Sequence, residues 1–100
     1  MPVTQHFIDR AAERLGYCRT DAIHLAEHLV RALQRESDDL EYIGRVNRAG
    51  VRLFRFHTAE SRCFYVLLNT ETLVCITVLP PGYTVSCEGK GPVHLKETDI

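Results

Sequence analysis

Val51-Arg52-Leu53-Phe54-Arg55-Phe56-His57, Arg62-Cys63-Phe64-Tyr65-Val66-Leu67-Leu68 and Leu73-Val74-Cys75-Ile76-Thr77-Val78-Leu79 follow one another with only short polar breaks. Each run is rich in the β-branched and aromatic residues that fit a pleated, half-buried surface. The breaks, Thr58-Ala59-Glu60-Ser61 and Asn69-Thr70-Glu71-Thr72, leave room for hairpin turns and nothing longer, so the runs read as consecutive antiparallel strands. Tyr42 to Val46 adds a strand upstream, joined through Asn47-Arg48-Ala49-Gly50. Pro80-Pro81-Gly82 stops the last strand, because proline cannot donate to a ladder. Tyr83 to Cys87 allows one more short strand, and 88–100, with Gly89, Gly91 and Pro92, reads as a flexible C-terminal tail.

Ahead of the meander the period changes to that of helices. Phe7, Ile8, Ala11, Ala12 and Leu15 recur on one side of a segment that Thr4 caps and Gly16 closes. Ala22, Leu25, Ala26, Leu29, Val30 and Leu33 do the same in a second helix, capped by Thr20 or Asp21 and ending near Arg35 or Glu36. The fold class is therefore α+β: two N-terminal helices packed on one face of a four- or five-stranded antiparallel meander, in a single domain over 1–87.

With 100 residues, 45% hydrophobic and 25% charged, the chain has the composition of one globular domain with a modest core. A chain this short buries about 60–70% of the surface its unfolded form exposes, so a homodimer contact or a bound partner would add stability. No apolar run approaches the roughly 20 residues that span a bilayer. The opening Met1-Pro2-Val3-Thr4-Gln5-His6 lacks the basic flank and apolar stretch of a secretory signal, which makes the cytoplasm the expected location and a membrane partner unexpected. Cys18, Cys63, Cys75 and Cys87 form no C-x-x-C pair, and two of them lie within apolar runs, as buried free thiols do.

The net charge of -1 argues against non-specific nucleic-acid binding by the whole chain. Its distribution is uneven. Arg45, Arg48, Arg52, Arg55 and Arg62 face only Glu60 within their stretch, whereas 36–41 holds four acids and no base. Ten of the twelve basic residues are arginine, whose planar fork suits bidentate contacts to phosphate or carboxylate.

Four-residue loops in the second and third hairpins would put Phe56 opposite Cys63 and Leu68 opposite Leu73. That register assigns every side chain to a face. Phe54, Phe56, Cys63, Tyr65, Leu67, Val74, Ile76 and Val78 would lie under the helices. The opposite face would carry Leu53, Phe64, Val66, Leu68, Leu73 and Cys75 at one end, and Arg55, His57, Arg62 and Thr77 at the other. Two arginines, a hydroxyl and a histidine that titrates near neutrality make an anion-ready surface.

The helices add two features. His6, Arg10 and Arg14, spaced i, i+4, i+8, form a basic stripe suited to phosphate contact, which packing of the helices on the other face is expected to keep apart from the sheet cluster. His24-Leu25-Ala26-Glu27-His28 matches the H-x-x-E-H spacing of inverted zinc-protease motifs. A zinc site needs a third ligand and a cleft that so small a chain lacks, so these read as exposed helical side chains, and no metal or cofactor is expected. Gly-rich phosphate loops and a G-x-S-x-G elbow are absent.

The order of elements, with Arg52-Leu53-Phe54-Arg55-Phe56, Cys63-Phe64-Tyr65-Val66-Leu67 and Val74-Cys75-Ile76-Thr77-Val78-Leu79 as its core, resembles the RelE/ParE toxin group of the barnase-like, RelE-like ribonuclease fold over Thr4 to Tyr83. The opening Thr4-x-His6-x-x-x-Arg10-x-x-x-Arg14 is similar to a recurrent start in small relatives of that group. The resemblance implies RNA cleavage without metal by 2′-hydroxyl transesterification. Arg55 and Arg62 would then hold phosphate, with His57 as acid or base, Thr77 as a supporting hydroxyl and Tyr83 as the counterpart of a terminal tyrosine. Arg45, Arg48 and Arg52, with His6, Arg10 and Arg14, would bind the RNA backbone. It also implies a protein partner, either an antitoxin or, for a non-catalytic inhibitor on the same scaffold, an inhibited host or defence-complex target. The chain departs from the ribosome-dependent toxins in its slight acidity and its two lysines.

Overall fold

In the computed structural model, which describes residues 3–58, 62–80 and 82–95, two helices precede a four-stranded antiparallel sheet of order β1-β2-β3-β4 and a separate two-stranded hairpin. Helix α1 (Gln5–Leu15) begins where the Thr4 hydroxyl accepts a hydrogen bond from the Phe7 N–H at 3.1 Å. It ends at Gly16, whose φ of 71° is the left-handed conformation glycine adopts without penalty. Helix α2 (Arg19–Gln34) starts earlier than the sequence suggests, with Cys18 as an N-cap that makes no side-chain bond. Thr20 and Asp21 lie inside its first turn instead, where the Asp21 carboxylate meets the positive end of the helix dipole.

The sheet comprises β1 (Leu40–Arg45), β2 (Val51–His57), β3 (Cys63–Asn69) and β4 (Val74–Leu79). Its register differs from the expected one. The β2–β3 loop is one residue longer, so Phe56 stands opposite Phe64 and His57 opposite Cys63. In β4 a bulge at Ile76 shifts the ladder between Leu68–Cys75 and Leu67–Thr77, and a second bulge at Ile43 interrupts β1. A one-residue slip moves side chains to the other face. The helices consequently cover Phe54, Phe56, Phe64, Val66, Leu68, Cys75 and Val78, which pack with Phe7, Ala11, Ala26 and Leu29. Phe64, Val66, Leu68 and Cys75 are thus core residues, while Cys63, Tyr65 and Leu67 turn to the other side.

That other side is not open. The short strand expected within Tyr83 to Cys87 forms as β5 (Thr84–Cys87), but instead of extending the meander it pairs with β6 (Gly91–His94), which lies in the segment read as a flexible tail and is followed by buried Leu95; 96–100 lie outside the described residues. Val85, Cys87 and Leu95 close over Leu53, Tyr65 and Leu79, building a second apolar core. The reason is physical: with both faces of β2–β4 apolar, one layer of helices cannot cover the sheet, and each large side chain left in water would forgo about 1.5–3 kcal/mol. The domain has three layers, helices, sheet and hairpin. No helix among the described residues is long and apolar enough to cross a membrane.

Candidate functional site

Helix α1 does not lie over the middle of the sheet but along β4, at its edge. Val3 bridges to Cys75, Arg14 Nη1 donates to the Val78 carbonyl, and His6 Nε2 lies 3.1 Å from the Thr77 hydroxyl. Phe7, Ile8 and Ala11 point into the helix-side core, so the i, i+4, i+8 stripe of His6, Arg10 and Arg14 wraps around the edge toward the hairpin side. There the stripe and β5 enclose a groove of about 520 Å³. Leu67, Thr77 and Leu79 form its floor, and Tyr83, Thr84 and Ser86 its far wall.

Hydrogen bonding orders these groups. The Thr77 hydroxyl is buried and donates to the Val78 carbonyl at 3.4 Å. The same hydroxyl is the hydrogen-bond partner of His6 Nε2, the donor of that pair being set by the imidazole tautomer. The carbonyl that receives Thr77 also receives Arg14, so His6, Thr77, Val78 and Arg14 form one chain of contacts. Arg10 pairs with Glu13 at 2.8 Å on the exposed side of the helix. Tyr83 is 51% exposed, one of the two large hydrophobic side chains that face solvent among the described residues. Among the described residues the groove is thus lined by three basic side chains and a phenol and by no carboxylate, with Arg10 paired to Glu13 outside it.

The sheet cluster expected from the sequence does not assemble. Thr77 stands opposite Leu67, and Leu67 opposite Leu53. His57 lies four residues along and two strands over, roughly 17 Å away by ladder spacings. Leu53, Tyr65 and Leu79, under the hairpin, separate the two. At its own corner His57 sits 3.5 Å from Glu41, and Arg55 Nη2 donates to Cys63 Sγ at 3.1 Å. The Arg55 guanidinium is held above its ordinary value chiefly by that bond, against partial desolvation and with further help from the Cys63, Tyr65 and Glu41 charges. Its Nε is buried without a hydrogen-bond partner among the described residues. Arg62 is exposed at the start of β3.

The remaining basic residues are dispersed. Arg45 pairs with Glu88 at 3.0 Å, Arg52 Nε donates to Thr70 at 3.2 Å, and Arg48 is exposed in the β1–β2 turn. His24, Glu27 and His28 are exposed on α2, with the His28 ring edge-on to Phe56 at 5.5 Å. No group of three His, Cys, Asp or Glu side chains among the described residues is placed to hold a metal ion. Of the residues singled out from sequence, the fold brings together His6, Arg10, Arg14, Thr77 and Tyr83. Pattern reading treated the helix stripe as remote because it seated α1 over the sheet rather than along β4. Thr84 and Ser86 went unnoticed; their alternation with apolar Val85 and Cys87 was the available signal.

Searches of protein-family models, of curated proteins and of solved structures find no match to this chain.

Proposed function

We propose that the protein is a metal-independent endoribonuclease that cleaves RNA by 2′-hydroxyl transesterification in the groove between α1 and β5. The observation that carries the reading is the contact of His6 Nε2 with Thr77 Oγ1 at 3.1 Å, in a groove that Arg10, Arg14 and Tyr83 also line. The resemblance to the RelE/ParE toxin group points to the same reaction, with the chemistry moved from His57, Arg55 and Arg62 to the α1–β4 edge.

In this reaction the ribose 2′-oxygen attacks the adjacent phosphorus and the bond from phosphorus to the 5′-oxygen breaks, giving a 2′,3′-cyclic phosphate and a free 5′-hydroxyl. The imidazole of His6, oriented by its contact with Thr77, takes the proton of the attacking hydroxyl. Arg10 and Arg14 stabilise the charge that builds on the phosphorane oxygens; Arg14 needs no reorganisation, because the Val78 carbonyl already positions it. Tyr83, on the opposite wall, gives its phenolic proton to the departing 5′-oxygen, and solvent carries the proton held by His6 back to the phenolate.

The test is incubation of the purified protein with end-labelled single-stranded RNA, with and without EDTA. Fragments ending in 2′,3′-cyclic phosphate are expected in both, and His6→Ala is expected to lose about 10²–10⁴-fold in rate. RNA that stays intact under excess protein would overturn the nuclease reading. If such RNA were still bound, and released by Arg10→Ala, the scaffold would be a binding module of the inhibitor kind. Loss of cleavage in His57→Ala but not in His6→Ala would return the chemistry to the β1–β2 corner. Expression in cells, following growth and total RNA integrity together, separates the same alternatives, because toxicity with intact RNA favours an inhibited protein target.

A further inference from the structure

We infer that a groove at the open edge of β1 is a docking surface for a basic, extended segment of a protein partner. This stands apart from the nuclease reading and rests on three observations.

Unpaired strand edges invite pairing with another chain, and folds usually cover them. Here β4 is covered by Val3 and α1, and the second half of β1 by the hairpin turn, where Glu88 N–H bonds the Arg45 carbonyl and Lys90 Nζ donates to that of Ile43. Within Leu40–Tyr42 the Leu40 N–H is taken by the Ser37 carbonyl at 3.1 Å, which leaves the Leu40 carbonyl and the backbone of Tyr42 as the open part of this edge among the described residues. His57 N–H bonds the Asp39 carbonyl at 2.7 Å, so in an antiparallel ladder Asp39 and Glu41 turn their backbone groups toward β2. The N–H and C=O of Tyr42 therefore face outward, as a strand-adding partner requires.

The same stretch borders a groove of about 600 Å³ with Leu33, Leu40 and Phe54 among its lining residues. Tyr42 stands beside it, 54% exposed, its ring 5.6 Å from that of Phe54. An aromatic face left in water next to an apolar floor offers both packing area and a cation–π surface.

Charge selects the occupant. Glu36 and Asp38 rim the groove, are exposed, and take part in no ion pair among the described residues. The negative end of the α2 dipole points to the same place. Among the described residues no cation lines the groove itself; Arg31 and Arg35 line a smaller adjoining recess, with His28 and Asp39, that shares Ala32 and Ser37 with it. Phosphate would be repelled, whereas arginine or lysine side chains would find carboxylates and an aromatic face together. Since β1 and β4 are opposite edges of the sheet, about 14 Å apart by strand spacing, a segment docked here leaves the His6–Tyr83 groove open.

The experiment titrates the ¹⁵N-labelled full chain with a peptide alternating arginine and leucine, and in parallel with one alternating glutamate and leucine. Shifts are expected at Leu33 and over residues 36–42 with the cationic peptide alone. Affinity should fall roughly tenfold in the double variant Glu36→Gln, Asp38→Asn and at least about threefold in Tyr42→Ala, with amide dispersion intact. Equal binding of the acidic peptide, shifts scattered elsewhere, or unchanged affinity in both variants would overturn the proposal. So would self-association of the free protein that Tyr42→Ala abolishes, which would make the occupant a second copy of the chain.

Discussion

Cys75 is the most deeply committed titratable residue of the helix-side core. Its thiol is wholly inaccessible, lies 3.5 Å from the Ala26 carbonyl, and is pushed by burial from its ordinary value of 9.0 up to about 12. Unfolding releases it. Below pH 9 both states are protonated and the group adds no pH dependence; above it the unfolded chain loses the proton that the folded one keeps, so stability falls as pH rises toward 12. We therefore expect the stability advantage of wild type over Cys75→Ala, which lacks this group, to shrink above pH 9 by up to about 1.4 kcal/mol per pH unit in urea titrations. The cysteines should also separate by reactivity: exposed Cys18 should alkylate readily in the native protein, and Cys75 only on unfolding, which mass spectrometry reads directly. His6 is a residue-scale contrast. It is exposed, yet its Nε2 is tied to a buried hydroxyl, and the chemistry proposed for it depends on that tie.

At the scale of elements, the end of α2 holds a conformational debt. Glu36 has a φ of 53°, and Ser37 N–H reaches back to the Ala32 carbonyl while Glu36 N–H reaches that of Leu33, the pattern in which a helix end normally carries glycine. Glu36→Gly is expected to stabilise the fold by roughly 0.5–1 kcal/mol in denaturant or thermal unfolding, while weakening the docking edge. Elements themselves were legible in the sequence: both helices, the strands β1–β4 and the turn at Asn47 to Gly50 follow from periodicity and turn chemistry. Facing was not. One added residue in the loop before Cys63 exchanges Cys63 for Phe64 opposite Phe56, and the bulge at Ile76 reverses the parity again within β4. Neither change alters composition or period, so neither could be read from the pattern. The sheet cluster of Arg55, His57, Arg62 and Thr77 dissolved with the register that produced it, whereas the helix stripe, set by spacing within one element, survived intact.

Taken whole, the molecule is held in three layers by a close approach between β1 and the hairpin. A Cβ on Gly44 would lie 3.2 Å from Cys87 Sγ and 3.3 Å from its Cβ, so a larger side chain must lift β5. Gly44→Val is expected to cost about 1–3 kcal/mol in urea unfolding and to slow the proposed RNA cleavage, because β5 is also a wall of the groove. The second strand of the hairpin was missed in the sequence for a whole-molecule reason: Glu88 to Leu95 has weak local signals, and its order comes from an apolar patch of Leu53, Tyr65 and Leu79 contributed by three distant strands. The placement of α1 along β4 has a further consequence. The groove joins His6, in the first turn of α1, to Tyr83, beyond the last strand of the sheet. During translation at about 5–20 residues per second, roughly 4–15 s separate the synthesis of its two walls. A nascent chain that stops short of Tyr83 carries one wall alone, so the groove cannot form until synthesis has passed β5.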